Sequence, residues 1–449
     1  LRGFCEKARE YGITTVHTLA STALREASNQ AYILDHLFTR NKLNVQVLED
    51  TEVSSLMISA AKSSSYVPIE NTLFVAGGTG TIDFELLKNE KIVLAHSIQT
   101  GLLKISEMLR EASEFSRRID ILTEEYLYTF LTRENRIQDL WNADEIVFSS
   151  GDMQPLYKLC GIKADAGAVK IQRETVLDIY QSHRSLSVSQ ICERYEIDVQ
   201  QGGSLYAMLT LLDALLRLTN AKKLFCIQTN IADAMQTLLL KPGARKKHYD
   251  RMREGAIASA LDLAARYRCD LNHCRYVAGS ALYLFEKLRK PLGFSKEQGL
   301  LLNIACILHQ SGQYTNAADL YGASYNLVKE AHIYGLRSYD TLQIANIIVP
   351  QSLPGVVRSM THGVAPDGED VLSAAKMHSI YRLADALDYS HEQKARIHDA
   401  VFEDGSLIIS VQIHKDFTLE QWMFKESASL FREIFGITPQ LKINNIYYS

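Results

Sequence analysis

The sequence predicts an α/β first half built on a mixed sheet, followed by a helical domain and a small α+β tail. Three observations carry this reading. Strand-like runs alternate with amphipathic helices through residues 1–240. Residues 250–390 show almost nothing but helical periodicity. A strand pattern then returns within 395–449, where Leu407–Ile413 reads as a strand and Leu419–Phe435 as a helix.

Each element has its own warrant. Leu1–Tyr11 reads as a helix ended by Gly12, and Thr14–Leu19 as a short strand. A helix over Glu26–Arg40, a strand over Val45–Leu48 and a helix through Leu56–Lys62 follow. Thr72–Ala76 is a buried strand cut off by Gly77-Gly78-Thr79-Gly80-Thr81. A return strand, Ile82–Leu87, pairs through the turn Lys88-Asn89-Glu90 with Ile92–His96. From about Arg117 the pattern is mostly helical, with a strand at Glu145–Ser149 running into Gly151. The strand Leu224–Ile227 precedes a helix start at Asn230, and the basic turn Lys241–Lys247 is the clearest linker.

With 449 residues, 47% hydrophobic and 22% charged, the chain is neither disordered nor fibrous. At ~150 residues per domain its length suggests about three domains. No apolar run approaches the ~20 residues that cross a bilayer, so a membrane-spanning helix is excluded. The 48 basic and 52 acidic residues give a net charge of -4, which argues against a general DNA or RNA binder. Seven cysteines form no C-x-x-C pair, and they read as reduced thiols of a cytosolic protein.

Two stretches have the composition of anion sites. The Gly77–Thr81 turn follows a strand, where backbone N–H groups converge and Thr79 and Thr81 add hydroxyl donors. It is neither a Walker loop, because no Lys follows, nor G-x-G-x-x-G. A glycine-rich hairpin turn explains it equally well. In Ala20–Asn29 a strand runs into small hydroxyl residues before Arg25, a side chain able to clamp phosphate or to sit on the surface beside Glu26. Glu85 reads as a solvated strand carboxylate.

Together these stretches resemble the Ppx/GppA family of exopolyphosphatases and guanosine pentaphosphate phosphohydrolases. Ala20–Asn29 resembles A-T-S-A-x-R-x-A-x-N, and the Gly77 loop resembles D-[IV]-G-G-G-S-T-E. Gly101–Ile105, Ser149-Ser150-Gly151 and the closing helix Ser427–Gly436 follow in the family's order. The resemblance implies two actin-like (ribonuclease H-like) ATPase-superfamily lobes, a remainder of the first over 1–57 and the second over 58–240. An HD-like helical domain over 245–390 and a small tail over 395–449 complete it. It further implies a strand-loop with D-x-G-S-N-S upstream of Leu1, a cytoplasmic location and a homodimer.

The departures fall on acids. Val75 and Ile82 stand where the loop's Asp and Glu belong, and Val53 replaces the second Glu of E-E-A-R while Glu52 keeps the first. Water attack on a phosphate needs a positioned base, and Mg²⁺ needs carboxylate oxygens. Glu52 points about 100° away from Val53 on a helix. Asp83 faces the other side of its strand from Ile82. In the HD-like part, His273 and Ile307–Gly312 match, but Gln310 replaces the expected Asp and Gly322 a usual His. No metal ligand is therefore expected there, and His273 and His309 read as lone packing or hydrogen-bonding residues.

The function implied is binding of polyphosphate or a guanosine polyphosphate such as pppGpp in an interlobe cleft, with weak or no hydrolysis. The phosphate-binding residues expected are Arg25, Gly77, Gly78, Thr79, Gly80, Thr81 and Gly151. The alternative is an active hydrolase using Glu52, Asp83 and Mg²⁺. Neither DNA nor a membrane is an expected partner.

Overall fold

The unbroken apolar run Leu73–Ala76 suits a strand covered on both faces, and it lies at the centre of the main sheet. This computed structural model describes the chain except residues 63–70, 90, 99, 116–120, 122–124, 126–127, 130–141, 164–166, 349–367, 404–405, 444–445 and 449. It divides into two units, Leu1–Gly255 and Ala256–Ser449.

The first unit begins with α1 (Arg2–Glu10), β1 (Thr18–Ala20), α2 (Thr22–Arg25), α3 (Gln30–Asn41), β2 (Val45–Val47) and α4 (Asp50–Lys62). Strands β1 and β2 form a parallel pair of their own. The helix expected over Glu26–Arg40 begins only at Gln30, because Glu26–Asn29 is turn, where Ser28 and Asn29 favour turns over a helix interior; the short α2 precedes that span.

The main sheet follows: β3 (Asn71–Gly77), β4 (Ile82–Lys88), β5 (Lys91–Ile98), β6 (Glu145–Ser150), β7 (Ala168–Gln172) and β8 (Lys223–Gln228), in spatial order β5-β4-β3-β6-β8-β7. β3, β6 and β8 run parallel, and β4, β5 and β7 oppose their neighbours. Between them lie α5 (Leu102–Phe115), α6 (Gln154–Leu159), α7 (Arg173–His183), α8 (Val188–Tyr195) and α9 (Val199–Leu218). One sheet face, with Leu73, Val75, Ile82 and Phe84, packs on α5 and the largely buried α9. The other, with Phe74, Ala76 and Leu87, packs on Ile58 and Ala61 of α4. Edge strand β7, Ala-Val-Lys-Ile-Gln, lies outside the strands read from the sequence. Most of the helical expectation after Arg117, and Glu90 of the β4–β5 turn, lie outside the described residues.

Burial on both faces corrects the reading of Glu85. Its side chain is fully buried, ion-paired with Arg251 and 3.6 Å from Lys62. Strand β4 is interior, so each alternate residue points into a covered face rather than into water.

Helix α10 (Ile231–Leu240) is followed by α11 (Ala244–Arg266). The second unit then holds α12 (Leu271–Leu292), α13 (Lys296–Leu308), α14 (Leu320–Lys329), α15 (Ser338–Ile348) and α16 (Gly368–Ala386). Its tail has β9 (Ala395–Glu403), β10 (Ser406–Ile413), α17 (Thr418–Phe435), β11 (Thr438–Ile443) and β12 (Ile446–Tyr448). The tail sheet runs β12-β11-β10-β9, with β10 and β11 parallel. Leu284, Phe285 and Ile380 of the helices share one apolar core with Leu407, Ile409 and Leu441 of the sheet. Among the described residues no helix is long and apolar enough to cross a membrane.

Candidate functional sites

Three parallel strands that end at one sheet edge leave their following loops gathered there. Around these loops lies a cavity of ≈ 560 Å³, lined by Gly77, Gly78, Thr79 and Thr81 after β3, Ser150–Asp152 after β6, and Thr229–Ala232 after β8. Ser21, Val53 and Met57 close another side. The loops are laced together: Gly78 N donates to Thr81 O at 2.9 Å, Ser150 Oγ to Gly77 O at 3.1 Å, and Thr229 N to Ser150 O at 3.0 Å. Leu102 N donates to Gly78 O at 2.9 Å. A Cβ on Gly101 would lie 2.3 Å from the carbonyl carbon and oxygen of Thr79, so only glycine lets α5 approach the loop this closely.

The cavity's electrostatics come from backbone. The first residues of α5, Leu102 and Leu103, and of α10, Ile231 and Ala232, line it, so two helix N-termini present their partial positive ends. Asn230 caps α10, accepting from Asp233 N at 2.8 Å. Among the described lining residues there is no Lys or Arg, and one carboxylate, Asp152.

The expected residues separate into liners and supports. Gly77, Gly78, Thr79, Thr81 and Gly151 line the cavity, whereas Gly80 is buried behind the loop. The Thr81 hydroxyl donates to Asp83 Oδ2 at 2.7 Å. Asp83 is fully buried and is not among the described lining residues. Glu52 accepts from Glu49 N at 2.9 Å at the start of α4, while its neighbour Val53 faces the cavity. Arg25 Nη1 donates to Leu48 O at 3.1 Å, tying α2 to the turn before α4. Val75 and Ile82 are core residues.

The resemblance implies Mg²⁺, and the donor set here does not fit it. Mg²⁺ is held through carboxylates together with phosphates and water. Asp152 already accepts from Gln154 N at 3.2 Å and Gln201 Nε2 at 3.1 Å. No group of metal-ligating side chains is found at this cavity among the described residues.

A second constellation lies inside the helical unit, and it corrects the view of His273 and His309 as lone residues. Asp270 caps α12, accepting from Asn272 N and His273 N, which sets His273 in the first turn. His309 closes α13, and Asp385 ends α16 with Asp388 just beyond. His273 Nδ1 donates to Asp388 Oδ2 at 2.9 Å, and its Nε2 lies 3.3 Å from His309 Nε2 and 3.3 Å from Asp385 Oδ1. His309 Nδ1 donates to Cys306 O at 2.7 Å, and its Nε2 lies 3.6 Å from Asp385 Oδ1. His391 stacks on His273 with ring centroids 3.7 Å apart.

Burial acts to lower the pKa of His273, but hydrogen bonds to Asp385 and Asp388 outweigh it and lift it to about 9. Burial pushes His309 down to about 4. Burial acts to raise Asp385, yet the His273 hydrogen bond and the surrounding charge hold it well below the usual carboxylate range. Sequence reasoning missed Asp385 and Asp388, whose signal was a carboxylate pair three residues apart at a helix end. At Gly322, which stands in place of the usual His, the backbone N donates to the Asp319 carboxylate at 3.0 Å, the cap of α14.

The second unit thus carries a buried histidine–carboxylate cluster on packed helices. Residues 256–427 match the family model "Ppx/GppA phosphatase, domain III". That match covers the helical part of the second unit and most of its tail, where the chain is similar to the family. Among solved structures the chain is similar to the PPX-GPPA enzyme of Aquifex aeolicus, 15% identical over 52% of this chain and 79% of that one, with a TM-score of 0.43. It is also similar to an exopolyphosphatase from Cytophaga hutchinsonii, 12% identical over 53% of this chain and 78% of that one, with a TM-score of 0.45. No curated protein matches the sequence.

Proposed function

We propose that this Ppx/GppA relative binds a phosphate chain, as polyphosphate or a guanosine polyphosphate such as pppGpp, in the cavity of the first unit with weak or no hydrolysis. The observation that carries the reading is the pairing of glycine loops and two helix N-termini with a lining that offers one engaged carboxylate. Such a cavity grips phosphate through N–H groups and, among the described residues, offers no base aimed at water. Gly77, Gly78, Thr79 and Gly151 contact the phosphates in this reading. Gly80 and Arg25 act at one remove, by shaping the loop and holding the Leu48 carbonyl. The family resemblance adds a cytoplasmic homodimer, and seven unpaired cysteines accord with a reducing compartment.

The alternative, a phosphohydrolase working through Glu52 and Asp83 with Mg²⁺, requires both acids to leave the hydrogen bonds that now hold them. Equilibrium binding of long-chain polyphosphate and pppGpp, measured beside phosphate release with Mg²⁺, separates the two. Binding with background turnover is expected. Asp152→Asn should tighten binding about fivefold, the effect of ~1 kcal/mol for like unit charges ~4 Å apart in water. Turnover that vanishes in Glu52→Gln or Asp83→Asn establishes the hydrolase instead, and absence of binding ends the reading.

A further inference from the structure

We propose that Cys269 and Cys274, at the join of α11 and α12, form a reversible dithiol–disulfide pair that hydroperoxides oxidise. Neither the phosphate reading nor its cavity enters this chemistry. The chain fixes both residues tightly. Helix α11 ends at Arg266, and Arg268 follows in the left-handed region with φ 55°. Arg268 N donates to Ala265 O at 3.0 Å, and Cys269 N to Ala264 O at 2.9 Å. These two bonds are a Schellman closure, whose last residue, Cys269, turns its side chain back onto the helix. Asp270 then caps α12, which puts Cys269 just before the cap and Cys274 at the fourth helical position. Residues so placed pack on one another as a hydrophobic staple. Here the staple is made of two thiols.

The two sulfurs are in hydrogen-bond contact, with the Cys274 S–H donating to Cys269. That bond, opposed by burial, holds the Cys269 thiol below its ordinary value. The same bond, reinforced by burial, raises Cys274. The pair is thereby divided into an attacking sulfur and a resolving one. Cys269 is also the more reachable, 7% exposed beside the exposed Arg268, while Cys274 is fully buried. A third thiol of the same core, Cys306, is raised well above its ordinary value by burial, which keeps it protonated and inert.

The Cys269 thiolate attacks a peroxide oxygen and breaks the O–O bond, so that the sulfur becomes a sulfenic acid. The other oxygen leaves as hydroxide, or as alkoxide from an organic peroxide, and takes up the proton that Cys269 gave away. Cys274 sulfur then attacks the sulfenic sulfur. The S–S bond forms as the S–O bond breaks, and hydroxide departs with the Cys274 proton as water. Two electrons pass from the sulfurs to the peroxide, and an external dithiol returns them by exchange. Once linked, the staple fastens the end of α11 to the first turn of α12, which carries His273. A transient bond of this kind suits a chain whose thiols are otherwise free.

The test uses the full chain, reduced, freed of reductant and then treated with equimolar hydrogen peroxide. Free thiols counted after denaturation should fall from seven to five. The tryptic peptide Cys269–Arg275 should escape alkylation and be lighter by two hydrogen atoms. The thermal midpoint should rise by roughly 4–8 °C and return with dithiothreitol. Cys274→Ser should stop at the sulfenic acid, trapped on Cys269 by a 1,3-diketone probe, and Cys269→Ser should abolish both products. Wild-type peptide without the internal disulfide, whether untouched, over-oxidised or joined to Cys306, overturns the proposal. Mapping of the wild type decides first, so a variant that fails to fold leaves the answer intact.

Discussion

The cavity of the first unit is made of backbone, whereas the cluster in the second is made of side chains. In the cavity, glycines and helix ends do the shaping, and the acids nearest the loop, Glu52 and Asp83, are occupied in holding structure. In the helical unit the charged groups face one another, and one position, Gln310, has an amide where the family pattern has a carboxylate. The contrast teaches that one chain can build one candidate site from backbone shape and another from paired side-chain charge, and the two respond to different substitutions.

The contrast breaks most readily at Gly101. A side chain there meets Thr79 backbone at 2.3 Å, which only a shift of the loop or of α5 relieves. Gly101→Val is expected to cost about 3 kcal/mol, at the upper end for overpacking, and to abolish phosphate binding. A chemical-denaturation series with parallel ligand titration checks both, and full binding in this variant removes the backbone account of the cavity. The helical unit has a smaller counterpart. Ser324 Oγ accepts from Gly312 N at 2.8 Å and donates to His309 O at 2.8 Å, bracing the turn that carries His309. Ser324→Ala should cost about 2 kcal/mol by leaving buried groups unpaired. The thermal midpoint of the variant measures it, and an unchanged midpoint means the turn holds without that brace.

How far each region was legible follows from chain distance. The β3–loop–β4 unit is local, so Gly77–Thr81 and the return strand could be read from a dozen consecutive residues. The His273–Asp388 contact spans 115 residues, and no local pattern announces it. The motif departure at Gln310 then argued against any cluster, although two histidines and a carboxylate still converge. Glu85 failed for another reason: a single acidic residue on a strand says nothing about whether its face is covered, and here helix α4 covers it. Edge strand β7 is only five residues long and alternates Val169 and Ile171 with Lys170, a weaker signal than the continuous apolar run of interior β3.

The last prediction sharpens where the first unit keeps its charge. Among the described residues it gathers Lys62, Glu85, His248 and Arg251 away from the cavity lining, with Lys62 and Arg251 over the Phe74 ring. His248 Nδ1 meets Ser59 Oγ at 2.8 Å. Burial, reinforced by the Arg251 charge and opposed by Glu85, lowers its pKa to about 4 from an ordinary 6.5. The unfolded chain takes up this proton near the ordinary value, and the folded chain refuses it until near the lowered one. Stability is therefore unaffected above about pH 6.5 and declines as pH falls from there towards about 4. At about pH 5.5 the loss from this residue is about 1 kcal/mol. Denaturation midpoints of wild type and His248→Gln, compared between about pH 7.5 and 5.5, isolate it, since the variant lacks the titrating group. Equal pH slopes in the two proteins mean that His248 charges in the folded state, and that the first unit's buried positive cluster accommodates one more cation.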